Sequence, residues 1–230
     1  MIVILTGAGI SKDSGIATFR DSDGLWASHR IEDVCTPEAL IRNRREVIEF
    51  YNERRKELLE KQPNAAHYAL AELEKVKDVA IITQNIDDLH ERAGSKRIIH
   101  LHGELRKLRS SRNDNAIVPI EGWKQGLDDR HTDGSLLRPH VVFFGEGVPN
   151  MEEAARIAME ADVFVIIGTS LNVYPAAGLA SYVRSDVPIY IVDPADPDRV
   201  KSGYIQNKIT YIQERAAIGV PKLVEELKKI

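Results

Sequence analysis

A single cysteine, Cys35, stands among 230 residues. One thiol excludes an intramolecular disulfide and any zinc site built from several cysteines. Long apolar runs are missing as well. The opening MIVILTGAG has only a four-residue apolar run and no charged segment before it, which predicts neither a secretory leader nor a membrane span. No block of five or more basic residues occurs, and the formal net charge is −4, so a nucleic-acid partner is not favoured. Arg42, Arg44, Arg45, Arg54, Arg55 and Lys56 are interleaved with acids and read as a solvated helix face. The expectation is a cytoplasmic protein with no membrane and no nucleic-acid partner.

What is present is an ordinary globular composition, 43% hydrophobic and 29% charged. A chain this long buries about three quarters of its unfolded surface, enough for one domain with a smaller inserted lobe. Short β-branched runs at Ile2–Leu5, Val79–Thr83, Val163–Ile167 and Ile189–Val192 read as fully buried parallel strands, with a shorter one at Arg97–Ile99. Helical spacing covers Arg44–Lys61, a segment opened by Asn64 as cap, Met151–Ala161, Pro175–Val183 and Pro221–Lys229. The alternation predicts an α/β fold, a doubly wound parallel sheet. Residues 104–138 break the rhythm with polar runs and read as loops of a small lobe or flexible excursion.

The stretch LTGAGISKDSGIATFR puts Gly7, Gly9 and Gly15 directly after the first strand. A strand running through glycines into a helix is a ready place for a pyrophosphate. Lys12 breaks the full dinucleotide fingerprint, so a plain tight turn competes on the loop alone. Polar, glycine-containing loops recur after other strands: TQNIDDLHERAG (83–94), HLHGEL (100–105), FFGEGVP (143–149) and GTSLNVYPAAGL (168–179). Taken singly, Asp87 reads as a helix-start carboxylate and His102 as a satisfied core histidine. Several such loops converging on one sheet edge argue for a ligand site.

GAGIS (7–11), GIATFR (15–20), GLW (24–26), QNID (84–87), HG (102–103), RPHVVFFGE (138–146) and GTSL (168–171), in this order, resemble the sirtuins, NAD-dependent protein-lysine deacylases. The resemblance spans nearly the whole chain. It implies a Rossmann-like large lobe, approximately residues 1–25, 78–103 and 139–230, and a small lobe at 26–77 and 104–138. It implies a monomer that takes NAD and acylated-lysine proteins or peptides. Gly7, Ala8, Gly9, Ile10 and Ser11 would cradle the pyrophosphate, and Phe19 and Arg20 would close over the nicotinamide end. Gln84 and Asn85 would hold the nicotinamide ribose, Ile86 and Asp87 the amide. Ser170 and Asn172 would meet the adenosine side and Asp193 its ribose, and Gly168, Thr169 and Ala216 would also bind the cofactor. His102 would be the general base; His100 is given no role. Val141, Val142, Phe143, Phe144, Gly145 and Glu146 would pair with substrate backbone, with Val173 opposite.

Tyr51 and Arg54 share a helix face. On pattern alone an aromatic on the core beside an exposed arginine is the simpler reading. In the sirtuins, a Tyr-x-x-Arg pair here lines the tunnel of members that remove acidic acyl groups. The resemblance therefore implies succinyl- and malonyl-lysine substrates, with acetyl-lysine also accepted. The chain departs from the family at the zinc cysteines, where Ser110, Asn113, Arg130 and Asp133 stand, so no zinc is expected. Trp123, Leu127, Ile117, Val118 and Ile120 would then hold the lobe, or leave it mobile. Ala17 replaces a common proline. Ile191 replaces an asparagine often used on the adenosine ribose, leaving that role to Asp193 or the adenine end more loosely bound. Rival readings are an NAD glycohydrolase or a mono-ADP-ribosyltransferase on the same scaffold, and a non-catalytic NAD- or peptide-binding module, which would be expected to lose His102.

Overall fold

The computed structural model describes residues 1–17, 29–197 and 205–230. Phe19 and Arg20, and the GLW segment, lie outside them. In chain order the elements are β1 (Ile2–Thr6), α1 (Ile31–Val34), α2 (Pro37–Arg42), α3 (Arg44–Glu60), α4 (Ala65–Leu73), β2 (Val79–Thr83), α5 (Leu89–Ala93), β3 (Ile98–His100), β4 (Gly103–Ser110), β5 (Ile117–Pro119), β6 (Leu137–Val141), α6 (Met151–Met159), β7 (Val163–Ile167), β8 (Ile189–Val192), β9 (Ile209–Ile212) and α7 (Ala216–Leu227). A 3₁₀ helix at Ala176–Tyr182 replaces the expected helix at Pro175–Val183.

Six strands form one sheet in the order β3-β2-β1-β7-β8-β9, every pair parallel. Its central strands are apolar except for Thr6 and Thr83 at their carboxyl ends, because both faces are covered. Val3, Leu5, Ile82, Phe164 and Ile166 point to the α6 side. Ile2, Ile4, Ile81, Val163 and Val165 point to α4 and α7. The alternation is the period of two of a strand, and it gives the doubly wound fold. Helix α4 opens on a capping box: the Asn64 side chain accepts from the Ala66 amide (2.9 Å), and His67 Nδ1 accepts from the Asn64 amide (3.3 Å). Ala66, Leu70 and Leu73 share a core with Ile81 and Val224, so α4 packs on the large sheet although the expected lobe boundary put it in the small lobe.

The stretch 104–138 carries structure after all. β5, β4 and β6 form an antiparallel sheet, β5-β4-β6. A register shift between Gly103 and Leu108 breaks the alternation, and two of its buried residues are Arg109 and Arg138. The hydrophobic period therefore gives no strand signal. Leu108, Ile120 and Leu137, with Val118 against them, make a small core, while Ile117 is exposed. The expected holding role of Trp123 is played by its backbone carbonyl. Arg55, fully buried, donates to it (2.8 Å), to Leu105 O (2.7 Å) and to Asn52 Oδ1 (2.7 Å). Arg44 likewise donates to Leu127 O (2.9 Å) and Leu137 O (2.6 Å). Two arginines of the supposed solvated face thus tie α3 to the 104–138 stretch.

At three of the four positions matched to zinc cysteines, Ser110, Asn113 and Asp133, there is a knot of hydrogen bonds. Ser110, fully buried, donates to Asp133 Oδ2 (2.7 Å), lies 2.7 Å from Ser135 Oγ and accepts the amides of Arg112 and Asn113 (3.1 Å each). Asp133 Oδ1 also takes the Ser135 hydroxyl (2.6 Å) and amide (2.8 Å). A hydroxyl, an amide, a guanidinium and one carboxylate do not fit a structural zinc, which wants thiolates or imidazoles.

Two further differences concern the sheet's far edge. β9 was not expected, and α7 begins at Ala216 instead of Pro221. Pro221 falls in the second turn, where its missing N–H leaves only the Ala217 carbonyl, in the helix's first turn, without that bond.

Candidate functional site

The carboxyl ends of β1, β2 and β7 open onto a cavity of about 750 Å³. At its floor the expected helix after β1 is two three-residue 3₁₀ turns, Ala8–Ile10 and Lys12–Ser14. The amides of Gly7, Gly9, Ile10 and Ser11 are all committed to backbone carbonyls: Ile167 O (3.0 Å), Gly168 O (2.9 Å), Gly7 O (3.1 Å) and Ala8 O (3.1 Å). The loop is thereby fixed in shape by its own backbone. Its glycines answer to a neighbour. A Cβ on Gly9 would sit 2.6 Å from Gly168 Cα, and one on Gly7 2.7 Å from Thr169 Cβ. Gly168 itself has φ +61° and packs back on Gly9. Two ligand-facing loops are locked edge to edge.

Beside them, Asn85 Nδ2 donates to Gly7 O and Ser11 Oγ (3.2 Å each), and Ser11 Oγ donates to Asp87 Oδ2 (2.9 Å). The Leu89 amide also reaches Asp87 (3.1 Å). Burial pushes the Asp87 carboxyl up, against these two hydrogen bonds. His102 lies on the cavity wall with its Nδ1 at 2.9 Å from Gln84 O. A carbonyl only accepts, so Nδ1 carries the proton and Nε2 is the basic nitrogen. Burial lowers the His102 pKa, which keeps the ring neutral near pH 7. His100 faces the other way, into Glu91 (2.6 Å) and Asn85 O (3.3 Å).

The same cavity continues between the lobes. Tyr51 and Arg54 line it, as do Val141, Val142, Phe143, Phe144, Gly145, Glu146 and Val173. Tyr51 is fully buried, stacks on Phe143 (centroids 5.7 Å, 18°) and donates its hydroxyl to Cys35 Sγ (3.3 Å). The Arg54 guanidinium stands 5.7 Å from the Phe50 ring, and burial lowers its pKa. The Glu146 side chain does not present itself to a substrate. Arg138 holds it (2.5 and 3.1 Å), Arg109 adds a third contact (3.1 Å), and it accepts the Phe143 amide (2.7 Å).

Gly7, Ala8, Gly9, Ser11, Gln84, Asn85, Ile86, Asp87, Gly168, Thr169, Ser170 and Asp193 all line the cavity. Ile10, Asn172 and Ala216 do not. Ile10 and Ala216 are buried in the core beneath, and Asn172 donates to Ser170 Oγ (2.9 Å). Residues not foreseen also reach the wall: Lys12, Asp13, Cys35, Glu57 and Arg215. Arg215 comes from 202 residues away to meet Asp13 (2.8 Å), a pairing with no local sequence signal.

A family model described as the Sir2 family matches residues 7–175. The chain belongs to the Sir2 family. Among similar proteins, an NAD-dependent protein deacylase of Bacteroides thetaiotaomicron is 50% identical over 234 residues, covering 100% of this chain and 97% of its own. One of Aggregatibacter actinomycetemcomitans is 56% identical over 192 residues, 84% of this chain and 92% of that one. A Sir2 homolog solved with NAD superposes at TM-score 0.88 with 38% identity, over 99% of this chain and 89% of that one. Sir2 solved with an inhibitor, 2′-O-acetyl-ADP-ribose and a deacetylated peptide gives TM-score 0.79 at 32% identity, over 98% and 93%. Among the described residues of this Sir2 chain no helix is long and apolar enough to cross a membrane.

Proposed function

We propose that this Sir2-family chain is an NAD-dependent protein-lysine deacylase that removes succinyl and malonyl groups as well as acetyl. The observation that carries it is one continuous cavity joining the glycine loops, His102 and the Tyr51–Arg54 wall. The cavity suits a dinucleotide: rigid glycine turns, amide side chains at Gln84 and Asn85, and Asp193 with Arg215 at the far end. When bound, NAD supplies an electrophilic ribose carbon and nicotinamide as leaving group.

The chain's own residues do the rest. Residues 141–144 pair with the peptide backbone and aim the acyl-lysine inward. Asn85, Ser11 and Asp87, bonded to one another, fix the nicotinamide end without reorganising. The apolar walls, Ile86 and Phe143 among them, exclude water. His102 Nε2 accepts a proton from a ribose hydroxyl, a step worth roughly 10²–10⁴-fold. One water, admitted once nicotinamide has left, is consumed, and the products are free lysine, nicotinamide and O-acyl-ADP-ribose. Arg54 offers two parallel donors to an acyl carboxylate, and the Tyr51 hydroxyl, held by a weak thiol acceptor, turns to a stronger one.

The hydrogen-bonded knot at Ser110 holds the small lobe in place of zinc. A buried free thiol at Cys35 suits the reducing cytoplasm. The test is turnover with NAD on one peptide bearing acetyl-, succinyl- or malonyl-lysine, read by mass. Succinyl and malonyl removal lost in Arg54→Met, with acetyl removal kept, is the expected result. Acetyl removal alone in the unmodified enzyme would overturn the acidic-acyl assignment.

A further inference from the structure

His90 belongs to the TQNIDDLHERAG stretch, yet it does not line the cavity. It sits in α5, 1% exposed, beneath the carboxyl ends of β1 and β2. Those strands end on Thr6 and Thr83, paired in register and both fully buried. One step back each strand carries an apolar residue, Leu5 and Ile82. A buried hydroxyl costs stability unless it is bonded, and valine is the apolar isostere that fills a strand equally well. Three polar groups at this place form a chain. Thr6 Oγ1 donates to Thr83 Oγ1 (2.8 Å), and His90 Nε2 lies 3.1 Å from Thr6 Oγ1. With the Thr6 proton given to Thr83, His90 Nε2–H is the donor in that contact. Thr83 Oγ1 then accepts the Asn85 amide (3.0 Å). Burial, with His67 and His100 nearby, holds the His90 pKa well below its ordinary value, so the ring has one proton to place.

We propose that His90 is a positioning residue for Asn85, acting through the hydroxyls of Thr6 and Thr83 to fix the backbone from which Asn85 reaches the cavity. The Asn85 side chain is pinned from the other side by Gly7 O and Ser11 Oγ. Backbone and amide are thus set independently before a ligand arrives, which lowers the cost of ordering on binding. The inference rests on Asn85 holding the nicotinamide ribose.

The experiment measures binding of NAD, and of ADP, which lacks the nicotinamide ribose, by calorimetry. The variants are Thr83→Val, His90→Phe, the double variant, His90→Gln and Asn85→Ala. Thr83→Val and His90→Phe each weaken NAD by roughly 2- to 10-fold, the size of one buried hydrogen bond. ADP binding stays unchanged. The double variant is no worse than its weaker-binding parent, because both break one chain. His90→Gln, whose side-chain amide donates at similar reach, restores NAD binding. Equal weakening of NAD and ADP, additive effects, or unaltered NAD binding in Thr83→Val would overturn the proposal. If His90→Phe does not fold, Thr83→Val and Thr6→Val decide the matter. Asn85→Ala separates the two claims: unaltered NAD binding there refutes the role of Asn85 itself, whereas a loss there without one in Thr83→Val refutes only the chain from His90.

Discussion

Replacing Glu146 by glutamine removes one negative charge from between two arginines. The Arg109 and Arg138 side chains are 4% and 9% exposed, and that of Glu146 19%. Breaking a buried ion pair costs about 3–5 kcal/mol, because the partner's charge remains buried and uncompensated. Partial exposure of Glu146 and the surviving amide oxygen reduce this to about 2–3 kcal/mol. For a chain of this size each kcal/mol moves Tm by about 2–4 °C, so Glu146→Gln melts roughly 4–12 °C lower at pH 7. The difference depends on pH. Burial raises the Glu146 pKa, but the Arg138 hydrogen bond and the Phe143 amide outweigh it and hold the carboxyl below 4.5. A depressed carboxylate contributes stability that is present above pH 4.5 and lost as pH falls through the folded value. The gap between the two proteins therefore narrows in acid. Glu146 also fixes the Phe143 amide (2.7 Å), so the substrate strand loosens. Peptide KM rises several-fold while NAD binding holds. Equal melting temperatures at pH 7 with an unchanged peptide KM would mean that Glu146 neither balances the two arginines nor holds the substrate strand.

Gly9→Ala places a Cβ 2.6 Å from Gly168 Cα, forcing the two loops apart at a cost of about 1–3 kcal/mol; NAD titration should show affinity down by roughly 5- to 100-fold, and undiminished affinity would contradict the loop-to-loop account. Ser110→Ala strips the hub of the small-lobe knot and should lower stability in urea by about 1–3 kcal/mol, whereas dialysis against EDTA should leave both melting and turnover as they were. Burial lowers the His67 pKa to about 4, so the unfolded chain binds the extra proton first and stability falls as pH drops from 6.5 towards 4. His67→Gln keeps the capping bond and should remove about 3 kcal/mol of that acid loss, seen as a flatter urea midpoint across this window.

The large sheet was legible because its strands are buried on both faces. Val79–Ile82 and Val163–Ile167 are continuous apolar runs, and the structure places strands on them, the first extended by Thr83. The small lobe was not legible. Its strand β4 is bulged, and buried arginines at 109 and 138 mimic surface residues until Glu146 is seen between them. Arg54 and Arg55 are neighbours in sequence, yet one faces the cavity and the other the lobe's backbone carbonyls, a distinction of helix phase that charge alone does not reveal. The motifs named most wall residues because each follows a strand end. They missed Arg215, which arrives from the last helix, and the Thr6–Thr83–His90 chain, which lies under the wall.

The cavity that joins the glycine loops to the acyl wall implies that NAD cleavage is coupled to deacylation of a bound lysine. Stoichiometry decides it: NAD and a succinyl-lysine peptide are incubated with the enzyme, and every product is weighed and counted. One nicotinamide and one O-succinyl-ADP-ribose are expected for each lysine freed, with near-silence in His102→Ala and the fold retained. Nicotinamide and free ADP-ribose beside an intact peptide, or a peptide that has gained ADP-ribose, would contradict it.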